Sequence, residues 1–201
     1  MKTTTTYLLG CRKLLVSILL IAGGLHGITQ VIHTDITMLN TALNGTLLLN
    51  LNTSSIDFEF TTFAEYQQGM GSHLGPYFTE GSIAATTNWE LSFKAAEPFL
   101  HSDGVTTMPL DNVGVTVEWT GYNKIKNYAK THAKALEMSE VLLIGQSGNK
   151  SNAGDESANS FVLYWQMGTG DGNMQSQSLF DQNLKKGPYS TSVAFVVSEV
   201  L

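Results

Sequence analysis

From Leu47 onward the apolar residues recur in steps of two. Leu47, Leu49 and Leu51 share one phase, and after the turn-forming run Asn52-Thr53-Ser54-Ser55 the residues Ile56, Phe58 and Phe60 share another. Trp89, Leu91 and Phe93 alternate with Glu90, Ser92 and Lys94. Val113, Val115, Val117 and Trp119 alternate with Gly114, Thr116 and Glu118. Successive side chains of a strand point to opposite faces, so each run turns an apolar face inward and a polar face outward. Val141 to Ile144 reads as a buried strand. Phe161, Leu163 and Trp165, then Tyr189, Val193, Phe195 and Val197, complete a set of about seven to nine strands. The pattern predicts an all-β fold, an antiparallel immunoglobulin-like or jelly-roll-type sandwich. Its core is expected from Trp89, Leu91, Phe93, Val115, Val117, Trp119, Phe161, Leu163, Trp165, Val193 and Phe195.

One stretch breaks the rhythm. Ile125, Tyr128, Ala129, His132, Ala133 and Leu136 recur at threes and fours, with Lys124, Lys126, Lys130 and Lys134 between them, which predicts one short amphipathic helix near residues 124–137. Such a helix would cap an open end of the sandwich or be offered to a partner. The run from Gly145 to Ser160 is almost purely Gly, Ser, Asn, Asp and Lys and is expected to be an exposed, mobile loop.

The first residues follow a different logic. Lys2, Arg12 and Lys13 precede the uncharged apolar run Leu14 to Leu25, and the small residues Ala22, Gly23, Gly24 and Gly27 follow or end it. That is the layout of a secretory signal, expected over residues 1–27. The apolar run falls short of the roughly 20 residues needed to span a bilayer, so no transmembrane anchor is expected. The only cysteine, Cys11, lies before the apolar run, where a lipidated cysteine would follow it. Residues 28–45 then form an N-terminal extended segment and 46–201 a single β-sandwich domain.

Losing the signal removes three of the eleven basic residues and none of the seventeen acidic ones, so the net charge moves from −6 to −9. A surface of that sign repels nucleic acid, and no basic cluster reverses it. Without cysteine the exported chain uses neither disulfides nor thiol chemistry, and its stability rests on packing.

The candidate chemistry is sparse. Asp57 with Glu59, and Asp155 with Glu156, are carboxylate pairs that read as solvated surface rather than as a glycosidase dyad. His33, His73, His101 and His132 stand in no metal-binding frame, and Gly145-Gln146-Ser147-Gly148 lacks the spacing of a nucleophile elbow. The run Gly168-Thr169-Gly170-Asp171-Gly172-Asn173 offers oxygen ligands to calcium through Asp171 and Asn173 but is short of carboxylates, and a glycine-rich hairpin loop is the alternative. No cofactor is expected. Asn44, Asn52 and Asn149 sit in Asn-x-Ser/Thr sequons. The tryptophans fall on the apolar phase of their strands, which leaves Tyr66, Tyr122 and Tyr164 as the aromatics free to stack on a sugar.

The C-terminal phrasing, Phe161 to Tyr164 and then Gly187-Pro188-Tyr189 through Val197, resembles the last strands of secreted fimbrial-type and spore-coat-type subunits. The stretch from Thr87 to Ala95 and on to Met108-Pro109-Leu110 is similar to the strand-loop-strand passage of bacterial surface-layer β-sandwiches. With the signal, a single strand-rich domain, no cofactor motif and low charge density, the expected function is a non-enzymatic structural subunit of a filament, fimbria or coat, secreted to the bacterial cell surface or periplasm and associating with itself or another surface protein. Fimbrial relatives usually carry a disulfide in the first half of the domain, and this chain departs from them there. For assembly by strand addition the donor candidates are Ile32, Ile36 and Met38, which share one phase within 28–44; pairing inside its own domain is the alternative for that segment. A second class of function is an extracellular carbohydrate- or protein-binding, adhesin-like module using Tyr66, Tyr122 and Asp171.

Overall fold

The computed structural model describes residues 45–53, 55–146, 148 and 150–200. The expected signal and the donor candidates Ile32, Ile36 and Met38 lie outside them. In chain order the elements are β1 (Leu47–Leu51), α1 (Phe63–Gln68), β2 (Met70–Gly71), β3 (Phe78–Ala85), β4 (Trp89–Ala95), β5 (Phe99–His101) and β6 (Thr107–Met108). They continue with β7 (Val113–Trp119), β8 (Asn127–Tyr128), β9 (Lys134–Ala135), β10 (Val141–Gly145), β11 (Ser160–Met167), β12 (Tyr189–Ser190) and β13 (Val193–Glu199).

Every pairing is antiparallel. One sheet runs β1-β3-β11-β7-β9, with β2 extending the end of β11, and the second runs β13-β4-β10-β8; the small sheet β12-β5-β6 adjoins them in sequence. The fold is an antiparallel all-β sandwich.

The step-of-two phase decides what faces the core. Trp89, Leu91, Phe93 and Ala95 are buried along β4 while Glu90, Ser92 and Lys94 are half-buried. Phe161, Leu163 and Trp165 on β11 register with Trp119, Val117 and Val115 on β7. Trp119, Val193 and Phe195 are only partly buried but pack on the same cluster, and Phe93 stacks on Phe195 with ring centroids 6.3 Å apart. Where Phe161 crosses β3 the opposing residue is Gly81; a Cβ there would lie 2.6 Å from the Phe161 ring, so the absence of a side chain makes room for it.

Three expectations need correction, and one long strand escapes the pattern. The helix near 124–137 is absent, and the one α-helix among the described residues is α1. The backbone from 127 to 135 is taken by both sheets instead: β8 pairs with β10, β9 pairs with β7, Ala129 N–H donates to the Leu143 carbonyl and Val117 N–H donates to the Ala129 carbonyl. A lone helix of this length is marginal in water, and two sheet edges that need partners outcompete it. Residues 56–60 keep the expected phase but lie outside any strand; Ile56, Phe58 and Phe60 pack on the core, with Phe58 4.4 Å from the Tyr77 ring. β3 carries no legible apolar phase, because its inward positions include Thr79 and Gly81 beside Ile83 and Ala85.

The loop from 145 to 160 is not simply exposed. Asn152 and Asn159 within it are wholly buried. Asn152 accepts the Trp89 N–H at 3.0 Å and donates to the Trp89 carbonyl at 2.8 Å, while its own carbonyl accepts the Trp89 indole N–H at 2.8 Å. Asn159 donates to the Ile83 carbonyl and accepts from Asn123, whose carbonyl holds the Trp119 indole. Side-chain amides thus satisfy backbone groups and indoles where the strands end, which buried polar groups require.

Truncating Trp89 to Ala should cost about 3–5 kcal/mol, since it removes a fully buried ring and strands the Asn152 carbonyl. Glu90→Ala and Ser92→Ala should each stay within about 0.5 kcal/mol. Thermal melts of the three variants check this, and equal losses at 89 and 90 would contradict the facing of β4.

Candidate functional site

A two-layer sandwich has four edges, and here they differ. On one side the terminal strands are β8 and β9; on the other they are β1 and β13. The first side is bridged by the chain between β8 and β9, which hydrogen-bonds to both sheets. On the second side β1 and β13 come close where Gly45 lies beside Glu199, with 3.4 Å between the Gly45 Cβ position and the carboxylate. Away from that point a cleft of about 1090 Å³ opens into the sandwich.

Its floor is core: Leu51, Trp165, Leu136 and Phe195 line it. One wall is the segment 55–63 leading into α1, and the other is 183–193 leading into β13. The helix starts at a capping box in which the Glu65 backbone N–H donates to the Thr62 hydroxyl and the Glu65 carboxylate accepts the Thr62 N–H. The Thr61 and Thr62 amides hold the Glu65 carboxyl below the ordinary range. This start places Phe63 at the mouth, where it meets Phe180 edge-on at 4.7 Å; the two rings are 59% and 52% exposed. The two rings form an exposed apolar pair where the cleft opens.

The far wall is tied down by His101 and Asp103. His101 is buried, its Nδ1 accepts the Asp103 N–H at 3.0 Å, and Nε2, 3.1 Å from the Lys186 carbonyl, therefore carries the proton and donates it there. Asp103 accepts from Lys185 Nζ at 2.8 Å, from the Thr106 hydroxyl and from the Val105 and Thr106 amides. Lys185, then the Thr106 hydroxyl and these amides, hold its carboxyl far below the usual carboxylate range. Tyr189 completes the brace, its ring 4.9 Å from that of His101 and its hydroxyl donating to the Lys185 carbonyl.

The residues singled out from the sequence fall in separate places. Tyr66 lines the cleft, 5.4 Å from Phe60, and its carbonyl accepts the Phe180 N–H. Tyr122 is 69% exposed elsewhere, donating to Asp155 at 3.2 Å. Tyr164 donates to Glu118 at 2.8 Å; burial first and this carboxylate second push its phenol up. Asp171 lies on the opposite side. Burial pushes its carboxyl up, but the Ala133 amide, His132 and Gln166 outweigh that and leave it lowered. Its Oδ2 accepts the Ala133 N–H at 3.0 Å, and Asn173 Oδ1 accepts the Ala135 N–H at 2.8 Å. Of the side-chain oxygens the glycine-rich loop offered to calcium, Asp171 Oδ2 and Asn173 Oδ1 are engaged by backbone amides, and Asp171 Oδ1 lies 3.2 Å from His132 Nδ1. Among the described residues no three His, Cys, Asp or Glu side chains gather for a metal ion, and no helix is long and apolar enough to cross a membrane.

Sequence reasoning missed the wall formed by 183–192 and the His101–Asp103 brace. The signal for the brace was Asp103-Gly104, a turn pair between short apolar runs. Neither protein-family models nor curated proteins give a match to this chain.

Because the Asp103 pKa is depressed in the folded chain, its contribution is complete above the unfolded value of about 3.9 and is lost as pH falls through the lower folded value. Melting temperature should therefore fall further between about pH 5 and pH 2 in the parent than in Asp103→Asn. Parallel profiles would remove Asp103 from the acid response.

Proposed function

We propose that this chain is a non-enzymatic structural subunit of a filament, fimbria or coat, exported by its N-terminal signal to the bacterial cell surface or periplasm, which self-associates through its open side. The observation that carries the reading is the cleft between β1 and β13, floored by core side chains and entered past the exposed Phe63–Phe180 pair. An edge strand of seven residues, Val193–Glu199, beside a trough that reaches the core is a template for an added strand, whose backbone pairs with the edge while alternate side chains fill the trough. The segment this reading assigns to a neighbouring copy's cleft is 28–44, with Ile32, Ile36 and Met38 as its inward phase.

Four of the described acidic residues support a structural role as well. Glu65, Asp103, Asp155 and Asp171 each accept backbone amides and so hold loops in place.

Light scattering on the chain from residue 28 should show association that rises with concentration. Ile36→Asp should weaken it without lowering the melting temperature, since an unpaired charge in an apolar trough is strongly disfavoured. Deleting residues 28–40 should abolish it. A chain from residue 28 that stays monomeric at every concentration tested refutes the assembly reading.

A further inference from the structure

The side opposite the cleft poses the complementary question of why a sheet that ends at β9 does not add strands there too. β9 pairs with β7 through Gly114↔Ala135 and Val115↔Lys134, and Leu136 N–H donates to the Val113 carbonyl. The Ala133 and Ala135 amides therefore point away from the sheet, at the spacing an incoming strand would use. Both are already occupied, by the side-chain oxygens of Asp171 and Asn173, which are themselves two residues apart.

The loop that carries them is built for this position. Gln166 Nε2 donates to Asp171 Oδ2 at 3.3 Å, and His132 Nδ1 lies 3.2 Å from Asp171 Oδ1. Gly172 sits at φ +62°, and a Cβ on it would lie 2.1 Å from the Ala133 carbonyl oxygen, so only glycine lets the loop approach the edge this closely. Met174 packs with Ala133 and Ala135 in a small cluster of its own, over the bare face of Gly114. Lys134 stands exposed between the two alanines, a charge that discourages edge pairing. Along β13, by contrast, no side chain among the described residues hydrogen-bonds to the outer backbone edge.

We propose that Asp171 and Asn173 act as a false strand that seals the β9 edge against strand addition, so that the first sheet is barred from growing at β9 and assembly has a direction. The sealing stands on the hydrogen bonds above; only the direction it confers rests on the proposed function.

The test uses the full chain from residue 28 carrying Ile36→Asp, which weakens the cleft-side route, and association is read against this parent. Into it go Asp171→Ala with Asn173→Ala, Asn173→Ala alone, and Asp171→Asn, which keeps an acceptor oxygen for Ala133. Amide hydrogen exchange at Ala133 and Ala135 should rise about tenfold in the double variant, the order expected for a lost amide hydrogen bond. Light scattering should show new, concentration-dependent association in the double variant, a weaker form in Asn173→Ala, and none in Asp171→Asn. Folded variants with faster exchange but an unchanged size overturn the sealing role. Should the double variant not fold, Asn173→Ala alone decides the matter, and an unchanged size there overturns it equally. Failure of the assembly reading looks different: it is a monomeric chain from residue 28 without Ile36→Asp, whatever the sealing variants do.

Discussion

Backbone amides at the margin of a sheet must find partners, and a sandwich has to meet that demand four times without the closure of a barrel. How this chain meets it organises the rest of the molecule. At β8 and β9 the polypeptide runs from one sheet to the other, giving Ala129 a hydrogen bond in each direction, and the loop after β11 supplies side-chain oxygens to what is left over. Among the described residues β1 and β13 approach each other near Gly45 and Glu199, and a cleft floored by core side chains opens beside them. One margin is finished by the chain itself, and at the other the described residues leave a cleft.

With no cysteine after Cys11, loops have to be fixed by hydrogen bonds. The same device recurs: a short carboxylate or carboxamide accepts one or more backbone amides from a neighbouring segment. Asp103 gathers the β5–β6 turn and Lys185, Asp155 holds Ala158, and Asn152 clasps both the backbone and the indole of Trp89. The acidic balance of the chain is thus spent partly on internal fastening, and those carboxylates sit below their ordinary pKa because amides and one lysine favour the charged form.

The strands on the apolar phase were legible because a period of two leaves little choice of face, and Trp89 to Phe93, Val113 to Trp119 and Phe161 to Trp165 lie where their pattern put them. β3 was not, since Gly81 and Thr79 face the core for reasons held by the Phe161 and Trp165 rings on the next strand. The segment 124–137 misled because buried positions spaced by three or four arise whenever a chain turns between two layers, and periodicity cannot distinguish that from a helix. The cleft was illegible in principle: residues 55–63 and 183–193 are far apart in the chain, and nothing local records that they face each other across a gap. Of the loop at 168–173 the chemistry was readable, oxygen ligands on a glycine-rich turn, but not what they would bind.

The position of β13 also bears on when the domain can exist at all. Its partner, β4, lies roughly a hundred residues earlier, and β11 must likewise reach back to β3 before the first sheet has a centre. Without β13 the flank of β4 opposite β10 would have no partner strand, and Phe93 would lose the Phe195 ring. Closing the second sheet is therefore a long-range step: a loop of roughly a hundred residues must be ordered before the β4–β13 contacts offset its entropy, which places this pairing among the slower events of folding.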